Sequence, residues 1–446
     1  MFDQGFVVIK TFFDEIDRTI EKLSSKYDDI LFLTESIKQM TGPYLNASKI
    51  ENKKILLKPN WVKHNEKPDD ELCLTTHKNI LIALLHVILE CKPQKVTIGD
   101  APIQGCSWNK LIDYTFIQEI NVIKDKYNIP VLIKDFRRVK FDPKNNVQEK
   151  NLSGLENFVI FDLGINSYLE PITEKGKNKF RVTQYDPDRF NESHTPGKHK
   201  YCITKEIFDA DLIISVPKLK THQKAGITAA LKNIVGINGD KDFLPHHRIG
   251  GTEMGGDSYP GKSYLRYFAE KLFDISYKNQ GGKMYRFWTR MGSLVWKLSF
   301  PGQEHQQGAA WSGNDTVWRM VMDLNKIMVF GKENGLISET PVRELYSFGD
   351  GLIGGQGDGP LHPEPLPLGV LTFTNDSSWH DICVAELMRM EVDKISLLRA
   401  AKDFRKDRTV KIYLNGENIS IKDLKTISIF TLPPPGWVKH LSEQNE

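Results

Sequence analysis

Asp211-Leu-Ile-Ile-Ser-Val-Pro-Lys-Leu-Lys-Thr-His222 decides how this chain is read. The run from Leu212 to Val216 is short, apolar and ended by Pro217, which is the pattern of a buried strand. Lys218, Lys220 and His222 follow at its C-terminal end. A short helix near Thr204 to Phe208 precedes this strand, and Lys224 to Ile234 has the periodicity of a helix after it, with Lys232 and Asn233 about three turns in. Strands that alternate with helices build parallel sheets, and open sheets of that kind bind ligands outside the carboxyl ends of their strands.

Working outward, Lys54 to Asn60 and Val96 to Asp100 are two more apolar runs, closed by Pro-Asn and Gly-Asp, with a helical stretch from His77 to Glu90 between them. Pro130 to Lys134 follows a helical stretch from Leu111 to Tyr127. Beyond the quoted segment, helices are expected at Thr316 to Phe330 and Ser378 to Arg389, a strand at Leu368 to Phe373, and a glycine-dense loop up to Pro360. Val410 to Pro435 reads as short strands turning at Asn415-Gly416. The expected fold is therefore α/β, a mainly parallel sheet with helices on both faces, carrying an antiparallel insertion and a small C-terminal β element. The units are 1–141, an insertion at 142–200, a second α/β unit at 201–400 with a long His- and Gly-rich loop, and a tail at 401–446.

Composition bounds the partners. With 446 residues, 40% hydrophobic and 26% charged, the chain can bury a substantial core, which excludes a disordered or fibrous protein. Sixty Lys and Arg against 57 Asp and Glu leave a net charge of +3, so no nucleic-acid partner is expected and any anion site must be local. The five cysteines are scattered, the nearest two being Cys91 and Cys106, so the expectation is reduced thiols and no iron–sulfur cluster. No signal-peptide core or bilayer-length apolar run is present, which points to a cytoplasmic protein that does not span a membrane.

The strand-end lysines suit a carboxylate or phosphate, and a lysine partly removed from water is also a base or imine former. In that reading Lys220, His222 and Lys232 carry the chemistry, and Lys58, Asn60, Asp100, Lys218 and Asn233 bind the substrate. Asp350 and Asp358, in the loop with six glycines, would orient it or hold a divalent cation, and Arg319 is a further anion contact. The same residues also suit a solvated loop and helix caps. His246, His247 and Asp257 form a candidate transition-metal set with His222, although adjacent histidines on an extended chain face opposite ways. From Lys283 to Phe300, Lys283, Arg286, Arg290 and Lys297 separate from Met284, Phe287, Trp288, Met291, Val295 and Leu298 at helical spacing. Such a helix either packs on a core or lies on a membrane surface, and in the second case the substrate would be lipid-linked.

Taken together, Leu56 to Asn60, Thr97 to Asp100, Ala210 to Gly236, Asn314 to Arg319, Asp323 to Asn325 and Phe348 to Pro360 resemble, in order, the signature of the domain of unknown function 362 family, over roughly residues 50 to 390. Some members carry ferredoxin-type segments, from which this chain departs by its unclustered cysteines. Over about thirty residues the Lys-His strand and following helix are also similar to the lactate racemase group, which uses a nickel-pincer cofactor, an analogy at fold level. Three functions stand side by side: an enzyme on an anionic sugar phosphate, lipid phosphate or carboxylate, a metal- or cofactor-binding accessory or redox protein, and a membrane-surface module.

Overall fold

The computed structural model describes residues 4–14, 17–142, 147–150, 152–299, 308–404, 406 and 408–441. Twelve strands form one sheet: β1 (Gln4–Thr11), β2 (Lys54–Pro59), β3 (Lys95–Asp100), β4 (Val131–Asp135), β5 (Leu212–Val216), β6 (Lys218–His222), β7 (Gly226–Thr228), β8 (Glu344–Asp358), β9 (His362–Leu366), β10 (Val370–Thr374), β11 (Thr409–Leu414) and β12 (Glu417–Ile419). The order is β12-β11-β1-β10-β8-β5-β2-β3-β4, with β6, β7 and β9 attached through β8. The run β8-β5-β2-β3-β4 is parallel throughout, whereas β10 is antiparallel to both β1 and β8. Strand order reverses at β5, which follows β4 in sequence yet lies on the far side of β2.

The helices that matter below are α1 (Ile20–Asp28), α2 (Ile30–Thr41), α3 (Lys78–Glu90), α4 (Tyr114–Tyr127), α5 (Ala230–Asn233), α6 (Tyr264–Lys278), α7 (Lys283–Leu298), α8 (Val317–Phe330) and α9 (Ser377–Leu387). Alternate residues of one strand feed two cores. Leu212, Ile214 and Val216 join Ile55, Leu57 and the apolar faces of α1 to α4, while Ile213 and Leu56 join α8 and α9 on the other side. Both faces being covered explains why β5 is apolar apart from Ser215, each apolar side chain contributing about 1.5–3 kcal/mol on burial. The chain is thus an α/β protein with a large, mainly parallel sheet.

Two expectations change. The stretch Lys224 to Ile234 is not one helix: β6 folds back antiparallel on β7, and only the four residues of α5 are helical before a 3-10 turn at Ile234–Ile237. Backbone pairing of Lys220 with Thr228 takes precedence over the helical spacing, and Lys232 stands on the first helical turn. The glycine-dense segment is the second half of β8, not a loop. A Cβ on Gly355 would sit 2.8 Å from the Lys220 Cβ and 3.0 Å from the Cys73 carbonyl, so glycine here lets β6 lie close against β8.

Within the insertion, Phe158–Asp162, His194–Thr195 and Lys198–Thr204 form an antiparallel sheet. It is fastened to α8 through the buried Asp323 carboxylate, which accepts from Ser167 Oγ, the Tyr168 amide and the Tyr201 hydroxyl.

Candidate functional site

A cavity of about 450 Å³ opens beyond the carboxyl ends of β2 and β3, at the reversal of strand order. Its floor is Asn60, Asp100 and Gly236, and one side is β6 and α5. Val182 to Tyr185 of the insertion, Lys241 and His246 of the long loop, and Pro360 close it. A larger hollow of about 880 Å³ between α9 and the C-terminal segment mixes Glu386, Glu391 and Asp393 with Arg389 and Lys402, and lies away from these strand ends.

Lysines dominate the cavity. Lys220, Lys224, Lys232 and Lys241 line it, and the sole carboxylate in the wall among the described residues, Asp100, is engaged by Lys58 at 2.8 Å. Lys220 Nζ donates to the Leu74 carbonyl at 2.5 Å and the Pro360 carbonyl at 3.0 Å, so it is held by dipoles and no carboxylate. Burial pushes Lys220 and Lys232 down to about 7, and Lys224 and Lys241 down to about 8; for Lys232 the neighbouring Lys241 and Lys224 add to the effect. Four lysines thus gather around one void whose wall, among the described residues, holds a single carboxylate.

The Lys58–Asp100 pair is part of the scaffold under this void. Asp100 also accepts from the amides of Trp61 at 2.7 Å and Ala101 at 2.9 Å, while Asn233 bonds the Lys58 carbonyl and Ser215 Oγ. A Cβ on Gly236 would fall 1.7 Å from Asp100 Oδ1 and 2.7 Å from Lys58 Nζ, so only glycine passes there. Asn60 Oδ1, Gln104 Nε2 and Thr228 Oγ1, all from residues of the wall, are buried with no hydrogen-bond partner among the described residues.

The two cavity imidazoles are held in opposite tautomers. His222 Nδ1 accepts from the amides of Lys224 at 3.0 Å and Ala225 at 3.2 Å, which places its proton on Nε2. His246 Nδ1 faces the Leu244 carbonyl at 2.7 Å and donates to it, which leaves the Nε2 lone pair open. Burial, reinforced by the cavity lysines, holds both well below the ordinary histidine range, so both are neutral. His222 is accordingly a hydrogen-bond donor at Nε2, whereas His246 offers an acceptor there.

Several expected site residues stand elsewhere. Lys218 and Asp350 form a fully buried pair at 2.6 Å, with Asp350 also accepting from Tyr27 and the His77 amide, so they neutralise each other under the sheet end instead of meeting a ligand. Asp358 takes a hydrogen bond from Gln223 outside the cavity wall, and Arg319 is bound to Asp315 and the Tyr168 carbonyl. The metal set is not assembled. Asp257 spends its oxygens on the amides of Arg248 and Asp315 and on Thr316 Oγ1, His247 lies outside the wall, and among the described residues no cluster of three or more metal-binding side chains forms.

The remaining motif residues position the site. Asn314 caps α8 and donates from Nδ2 to the His246 carbonyl at 2.9 Å. Asn325 holds the Leu231 carbonyl, and Asp381 accepts the amides of Ala230 at 2.7 Å and Leu231 at 2.9 Å, capping the turn that carries Lys232. Lys224, Lys241, Gln104 and Tyr185 are wall residues that the sequence reading does not single out. Lys224 lies inside the quoted motif region and carries a signal; Tyr185, whose hydroxyl bonds Gln104, arrives from the insertion with none.

Fold and site define an α/β protein with a lysine-lined cavity at a strand-order reversal. The chain belongs to the DUF362 family, a domain of unknown function, whose model matches residues 163–386. No curated protein matches the sequence. It is similar to a crystallised Thermotoga maritima protein from the Northeast Structural Genomics Consortium at 10% identity and a TM-score of 0.30, over 79% of this chain and 56% of that one. The chain therefore spans little more than half the length of that protein.

Proposed function

We propose that this protein is an enzyme acting on a small anion with two or more negative charges, phosphate or carboxylate in kind, by proton transfer in the 450 Å³ cavity. The observation that carries this reading is the gathering of Lys220, Lys224, Lys232 and Lys241 around a void whose one carboxylate is already paired. Bound charge replaces the water lost to the lysines, and the ligand stands between the His222 Nε2–H donor and the His246 Nε2 acceptor. A neutral imidazole that donates to a developing oxyanion, beside a base near neutrality, is suited to proton abstraction next to a carbonyl or to acid–base cleavage. Lys232, with its proton balanced near pH 7, supplies or removes the second proton.

Isothermal titration with pyrophosphate and with citrate tests the binding step. Lys232→Ala and Lys241→Ala should each weaken the tighter of the two by about tenfold or more, since a charged hydrogen bond is worth about 1.5–3 kcal/mol, while thermal unfolding midpoints stay the same or rise. Equal affinity in wild type and both variants, or no binding of either anion, overturns the proposal.

A further inference from the structure

Helices α6 and α7 pack as an antiparallel hairpin: Ser276 Oγ bonds the Tyr285 carbonyl and Thr289 Oγ1, and Gly292 lies against the Phe273 ring. The face of α7 that packs is Gly292 and Trp296. A second apolar stripe, Met284, Phe287, Met291, Leu294 and Leu298, recurs every three or four residues and stays exposed, Phe287 at 49%, Leu294 at 52% and Leu298 at 66%. On α6, Leu265, Phe268 and Ile275 form a matching stripe, with Phe268 at 53%. At 100° per residue, each stripe lies about 120° from its own packed face in the same rotational sense, so in an antiparallel pair both look out on one side of the hairpin.

Charge separates the candidate occupants. Residues 262–299 hold eight Lys and Arg against two acids, in a chain whose whole net charge is +3. Both acids face inward: Glu270 accepts the Gly250 amide at 2.8 Å, and Asp274 grips Arg181 at 2.8 and 2.9 Å. Lys283, Arg286, Arg290 and Lys297 line the edge of the apolar stripe on α7. A second copy docked stripe to stripe would bring these cations against their own equivalents, whereas an anionic lipid surface accepts the apolar stripe and the cations together. No helix among the described residues is long and apolar enough to cross a membrane, so the contact is one of lying on the surface.

We infer that the α6–α7 hairpin is a docking element for an anionic lipid bilayer, its paired apolar stripes entering the interface and its lysines and arginines meeting the headgroups. The hairpin tip is fastened beside the cavity, because Gln280 donates to the carbonyl of Gln184, a wall residue. Docking therefore holds the cavity near the membrane plane. This inference stands on the surface of the hairpin and does not depend on what the cavity binds.

Co-sedimentation of the full chain with phosphatidylcholine vesicles, with and without phosphatidylglycerol, tests it. Wild type should pellet with the anionic vesicles and not with the neutral ones, losing most of that binding in high salt. The doubly substituted Phe287→Glu/Leu294→Glu protein and the Arg286→Glu/Arg290→Glu protein, each confirmed folded by circular dichroism, should each lose about tenfold or more of the binding, while Lys232→Ala retains it. The inference is overturned by no pelleting with anionic vesicles, or by equal pelleting in both substituted proteins. It is also overturned by a lipid-free dimer in sedimentation velocity that Phe287→Glu/Leu294→Glu dissolves, because the stripe would then belong to a second copy.

Discussion

Lys218 and Lys220 stand two residues apart on one strand and end in different surroundings. Lys218 meets Asp350 inside a fully buried network, while Lys220 donates to two carbonyls at the edge of a void. Breaking the first pair strands a buried charge, so Asp350→Ala should cost about 3–5 kcal/mol in urea unfolding. Lys220→Met should cost far less; similar losses for both would mean that Lys220 belongs to the same network. The cavity lysines also set a pH dependence. Lys220 and Lys232 are lowered to about 7, so between pH 7 and the ordinary lysine range the unfolded chain holds more protons than the folded one. Stability of the ligand-free protein should therefore rise with pH across that window. An anion reverses the shift, and its binding at pH 8 should take up protons, read as a dependence of the titration heat on buffer ionisation enthalpy. A heat independent of buffer would show that the lysines are already charged.

At the scale of elements, the four-residue helix α5 is too short to hold itself, and it stands because Asp381 on α9 receives its first two amides. Asp381→Ala should cost about 1.5–3 kcal/mol and weaken anion binding more than Asp358→Ala does, the comparison being made by titration and by urea midpoint together. Only part of this was legible in the chain. Leu212 to Val216 reads as a buried strand because it is apolar but for Ser215, and Lys58, Asp100 and His222 are found where strands end, with Lys232 on the helical turn after β7. The hairpin that replaces the expected helix was not legible, because Gly226 to Asn233 carries helical spacing and its pairing with Lys220 is a tertiary choice. Six glycines likewise read as a loop, since the reason for them is the approach of another strand, which a single segment does not reveal.

On the scale of the whole molecule, the parallel sheet expected from strand and helix alternation carries the cavity at its strand ends, while the reversal of strand order and the roof stay hidden in the sequence. Tyr185 and Lys241 come from the insertion and the long loop, brought in by pairings with no periodicity to announce them. The separation of Lys218 from the ligand was also hidden, because a lysine normally extends to water and nothing in its neighbours says that Asp350 lies across from it. The apolar spacing of α7 was plain, but whether it met a core was decided by Gly292 and Trp296, which leave a second stripe uncovered.

The cavity wall is drawn from segments as far apart as Asn60 and Leu361. No contiguous fragment holds them all, so the cavity is complete only when these distant segments are brought together. Under the proposed function, a bound anion would act as a clamp on the entire chain: at a hundred times its dissociation constant it would add about 2.7 kcal/mol to global unfolding and nothing to local fraying. Amide exchange should slow in β5, beneath the void, and in α3, outside its wall, while the ends of α6 and α7 exchange as before.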